Sequence, residues 1–110
     1  MELSQRSLRQ IEAYKLLFPR LQEEGFDFSA PWIAEFTYQR AEKCDGILWQ
    51  GTADFFIELC NLPFHEPLYN ILVSPTECGE RFRSISPLLT RLTEEEYLVS
   101  RKRGLTKIGA

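Results

Sequence analysis

The sequence predicts an α+β fold: an N-terminal amphipathic helix, an antiparallel β meander of about three strands and a C-terminal helical segment. Three observations lead there. Apolar residues recur at helical spacing in the first segment, they alternate with polar ones from Trp32 onward, and a capping box stands at Thr93. A chain of 110 residues is too short to divide into two independently folding cores, so residues 1–110 are expected to form one domain.

Leu8, Ile11, Tyr14, Phe18 and Leu21 fall on one face of the first helix, with Arg6, Arg9, Glu12 and Lys15 elsewhere. Ser4 or Ser7 can cap its start. Pro19 should end or kink it at Phe18, with a short continuation through Glu24 and a stop at Gly25. After the Phe26 to Pro31 connection, Trp32, Ala34, Phe36 and Tyr38 alternate with Ile33, Glu35, Thr37 and Gln39, the period of a strand with one buried face. Asp45-Gly46 offers hairpin turn chemistry, so Ile47 to Gln50 should return antiparallel. Thr52 to Leu59 reads as a continued strand in preference to a helical turn, and Tyr69 to Val73 as a third strand or a buried helix. Ser74 to Arg83 is polar and turn-rich, and Ser86-Pro87 suits a helix start. Thr93 and Glu96 then make the capping box, with Leu92 placed to staple Tyr97. Glu94 to Glu96 at the start of this helix and Arg101, Lys102 and Arg103 at its end complement the macrodipole, and Gly104 should stop it.

With 44% hydrophobic and 13% aromatic residues, the chain can bury enough apolar surface to fold. A net charge of -3 gives it no long-range attraction for nucleic acid or an anionic membrane. No apolar stretch approaches the roughly 20 residues of a membrane span. Met1 to Arg9 is too polar for a secretory signal, and three irregularly spaced cysteines fit a reducing compartment, so the cytoplasm is expected.

Cys44, Cys60, His65 and Cys78 have the right chemistry for a tetrahedral zinc site, but they lack the tight ligand pair such sites use, and no metal or other cofactor is expected. A Cys–His hydrolase would have to rely on the single histidine, with no nucleophile elbow or oxyanion loop in sight. Asp54 and Glu58 share a face in either secondary structure, yet no lysine accompanies them. The glycines are too dispersed for a phosphate loop.

These readings converge on a small non-enzymatic protein that binds another protein as an adaptor, inhibitor or regulatory subunit. Trp49, Tyr38 and Phe36 are its expected contact residues, because aromatic side chains anchor interfaces. They would form one patch with Trp32, covered by Ile11, Tyr14 and Phe18 except near Trp49. Self-association is a second option for the same surface, and an unrecognised small enzyme is one alternative reading. Another rests on Arg81, Arg83, Arg101, Lys102, Arg103 and Lys107, a basic set able to position a phosphate backbone. The runs Arg81-Phe82, Ile85 to Leu92, Tyr97 to Arg101 and Leu105 to Gly109 resemble the recognition helix and wing of winged-helix regulators over less than a third of the chain. That resemblance implies a DNA-binding regulator. The intervals for a preceding helix and a wing hairpin are abbreviated here, and Glu94 to Glu96 would oppose a phosphate.

Overall fold

A computed structural model describes residues 3–44 and 48–109, with side chains as far as Leu105. Among these residues every element is helical: α1 (Gln5–Glu23), α2 (Pro31–Glu42), α3 (Leu48–Cys60), α4 (Glu66–Leu72), α5 (Glu77–Ile85), a 3-10 turn (Leu88–Arg91) and α6 (Glu94–Gly109). No strand occurs among them, which overturns the α+β reading and its meander. The hairpin turn assigned to Asp45-Gly46, and Ile47 after it, lie outside the described residues.

The first helix forms as its periodicity requires. Ser4 caps it by accepting from the Ser7 amide at 3.1 Å, and Ile11, Tyr14, Leu17, Phe18 and Leu21 are all buried. Pro19 does not end it. An interior proline costs about 3 kcal/mol, but burial of Leu17, Phe18 and Leu21 on the same stretch returns about 1.5–3 kcal/mol each. The stop comes where Gly25 takes a φ of 72°, the left-handed geometry glycine tolerates. The Phe26 amide then bonds back to the Leu21 carbonyl at 2.9 Å, closing a Schellman motif.

From Trp32 to Tyr38 the alternation is not a strand period. The buried positions of α2 are Ile33, Thr37 and Ala41, spaced by four, while Phe36 and Tyr38 stay exposed. Exposed aromatics two apart imitated a strand because hydrophobicity was taken for burial. In α3 the same correction applies to 48–50 and 52–59: Ala53, Phe56 and Cys60 make one helical face. Leu68 and Leu72 are the buried pair of α4, so 69–73 is helix and its end. The polar 74–83 stretch conceals α5, opened by Thr76 accepting from the Gly79 amide at 3.2 Å.

The C-terminal helix lies along α1. Gly104 is no stop: α6 runs on to Gly109, and the glycine lets α6 come close to the backbone of α1 at Arg9. A methyl group there would lie 2.8 Å from Arg9 Cγ and 3.2 Å from Arg9 Cα. The start of α6 is fixed by the expected capping box, with Glu96 N–H donating to Thr93 Oγ1 at 3.1 Å and Thr93 N–H to Glu96 Oε1 at 3.0 Å. Arg20 tightens this corner, its guanidinium forking onto Glu96 at 2.8 and 3.0 Å. The Arg20 fork holds the Glu96 carboxyl below its ordinary range. Thr93→Ala is expected to lower stability by about 0.5–2 kcal/mol in urea denaturation. An unchanged midpoint would show that this cap contributes nothing.

Candidate functional site

The close approach of α1 and α6 leaves a groove beside it. Arg6, Arg9, Gln10 and Ala13 line it from one face of α1, Leu89 and Leu92 from the 3-10 turn and the residue after it, and Tyr97, Ser100 and Arg101 from α6. Its volume is about 330 Å³. Arg6 and Arg101 stand exposed at the rim, while Arg9 is half-buried and its Nε is sealed from solvent without a hydrogen-bond partner. The Ser100 hydroxyl donates to the Tyr97 carbonyl at 2.9 Å. Among the described residues none of the three arginines forms an ion pair, and no carboxylate lines the groove.

Such a lining offers guanidinium donors beside apolar surface, the chemistry that receives an anion attached to a hydrophobic group. No family model, curated protein or solved structure matches the chain.

The aromatic residues singled out from sequence do not meet in one patch. Phe36, 47% exposed, sits edge-on to Trp32 at 6.1 Å in a cleft that also holds Arg40, Pro87, Thr90 and Arg91. The Arg91 guanidinium lies 4.8 Å above the Trp32 ring. Tyr38 points the other way and donates to the Asp54 carboxylate of α3, a bond that raises the Tyr38 pKa. Trp49 is half-buried in a third place, a cleft with Glu77, Glu80, Arg81 and Ser84. Ile11, Tyr14 and Phe18 do face inward, but α1 packs against α6, α4 and the 3-10 turn rather than a sheet.

The basic set is likewise divided. Arg83 is 2% exposed, with its Nη1 donating to the Leu72 and Ser74 carbonyls at 3.0 and 2.6 Å, and burial lowers its pKa. Arg81 pairs with Glu77 at 3.6 Å. Arg101, Lys102 and Arg103 are exposed on α6, and Lys107 lies beyond the described side chains. The segment that resembles a recognition helix and wing is the end of α5, a 3-10 turn and one continuous helix.

Among the described residues no three His, Cys, Asp or Glu side chains gather as metal ligands. Cys60 is buried, which pushes its thiol up to about 12, and the His65 ring packs tilted against Phe28 at 4.3 Å with its Nε2 near the Cys60 carbonyl rather than the thiol. Cys44 contacts the Arg40 carbonyl and Cys78 is exposed. Asp54 and Glu58 stand on the exposed side of α3. No described helix is long and apolar enough to cross a membrane.

Sequence reading passed over Arg6, Arg9, Gln10, Tyr97 and Ser100. The signal is Arg6, Arg9 and Gln10 at spacings of three and four on one helix face, of which the periodicity says only that Arg6 and Arg9 lie off the apolar stripe.

Proposed function

We propose that the chain is a small non-enzymatic protein-binding module whose α1–α6 groove takes an acidic segment of a partner protein. The observation that carries this is the trio Arg6, Arg9 and Arg101, unpaired among the described residues, around the apolar side chains of Ala13, Leu89 and Leu92. Guanidinium groups match carboxylates in a two-pronged geometry, and a groove with no acid of its own leaves that capacity to a visitor. A volume of about 330 Å³ is at the lower end for ligand sites, suited to one or two side chains of a longer segment. A phosphate backbone is disfavoured by the net charge of -3 and by exposed Glu94 and Glu95 at the start of α6.

Fluorescence anisotropy tests the reading with a labelled peptide of alternating glutamate and leucine, its glutamine analogue, and heparin as a polyanion control. The acidic peptide should bind, weaken with salt, and lose about tenfold or more in affinity when Arg6→Glu and Arg101→Glu are combined. Equal binding of the glutamine analogue, indifference to the charge reversals, or preference for heparin would overturn it.

A further inference from the structure

The side of α6 turned away from α1 carries a second feature, which shares with the groove only Arg101 at its rim. Ser100 and Gly104 are buried, which fixes the inward face; Leu98 and Leu105 point outward, 56% and 45% exposed. At 3.6 residues per turn these leucines lie within about 20° of each other around the helix. The charged residues beside them divide by sign along the axis and by side around it. Glu94 and Arg101 flank the leucines on one side, and Glu95 and Lys102 on the other, with both acids toward the start of the helix.

We infer that this face docks a second copy of the chain, with the two α6 helices antiparallel about a two-fold axis at Leu98. A two-fold axis between antiparallel helices reverses their direction but keeps each flank opposite its own equivalent. Leu98 then meets Leu98 of the partner subunit. On one flank Glu94 comes opposite the partner's Arg101, and on the other Glu95 comes opposite the partner's Lys102, each pair occurring twice. A parallel pairing would set acid against acid and base against base, so the charge order selects the antiparallel one. Leu48, Phe55 and Phe64 are also exposed, but none stands between opposite charges spaced in this self-complementary way.

One helix face buries well under the roughly 1,200 Å² of a standard interface, so the dimer is weak, populated at about tens to hundreds of micromolar. Salt weakens it further by screening the flanking pairs.

Sedimentation velocity from about 10 μM to about 1 mM, a range that brackets a weak interface, tests this on the whole chain, with far-UV circular dichroism confirming that each variant is folded. A reversible monomer–dimer equilibrium is expected. Leu98→Glu should abolish it, and Glu95→Lys should raise the dissociation constant about tenfold through like-charge opposition. Adding Lys102→Glu to Glu95→Lys should restore it. A monomer across the range, a dimer that survives Leu98→Glu, or a folded double variant without recovery would overturn the inference. Leu98→Glu also separates this surface from the groove: the variant should be monomeric yet still bind the acidic peptide.

Discussion

Gly79→Ala should destabilise the protein by about 2–4 kcal/mol. A methyl group on Gly79 would lie 2.3 Å from the Ser74 carbonyl oxygen and 2.9 Å from that of Ile71. Both obstacles are backbone atoms and neither is free to move. The Ser74 oxygen accepts from Arg83 Nη1 at 2.6 Å, and the Ile71 oxygen accepts from the Ser74 amide at 3.0 Å. Alanine would gain about 1 kcal/mol of helix propensity over glycine, yet overpacking against fixed atoms costs about 1–3 kcal/mol and at times more. The clash wins. Urea denaturation followed by circular dichroism reads the outcome, and a midpoint equal to or above that of the parent would show that α5 does not press on the end of α4.

Arg83→Ala should cost about 3–5 kcal/mol, for a different reason. Among the described residues the guanidinium is the side-chain donor to the carbonyls of Leu72, at the last position of α4, and Ser74 just beyond it. Removing it leaves both oxygens without that donor and opens a cavity, since Arg83 is among the largest fully buried side chains. Its Nε and Nη2 are buried without partners, so part of the arginine's own burial is unfavourable. Arg83→Met keeps much of the volume and removes the buried charge, and it should therefore lose about half as much stability. If the methionine variant were as damaged as the alanine one, the carbonyl bonds would carry nearly the whole effect. If Arg83→Ala shifted the midpoint by less than about 1 kcal/mol, the arginine would not be holding the α4–α5 turn.

These two residues show why the fold was only partly legible. Gly79 and Arg83 lie in a stretch that reads as polar turn, because an arginine is seldom fully buried and a glycine has no side chain to mark a core face. Their burial follows from a tertiary contact, the end of α4 meeting α5, for which local pattern gives no sign. The opposite error occurred at Phe36 and Tyr38, apolar enough to suggest a buried strand face while the helix turned them outward and buried Thr37 between them. Thr37 manages burial by donating its hydroxyl to the Ile33 carbonyl at 2.6 Å, a helix-specific bond invisible to a hydrophobic alternation. Signals that depend on neighbours in sequence did survive: the Ser4 cap, the Gly25 stop and the Thr93–Glu96 box all stand where their local chemistry put them. The groove belongs to the other kind. Arg9 and Arg101 were both readable as surface cations, but that they face one cavity depends on the packing of α6 along α1.

The groove is tested most directly by a ¹H–¹⁵N NMR titration of the intact protein with the glutamate–leucine peptide, at concentrations where the chain is monomeric. Amide shifts should concentrate at Arg6, Arg9, Gln10, Leu89, Leu92 and Ser100, with the arginine Nε–H signal of Arg9 moving as its buried nitrogen gains a partner. Shifts centred on Trp32 and Phe36 or on Trp49, with the α1–α6 residues unmoved, would contradict the assignment of the site.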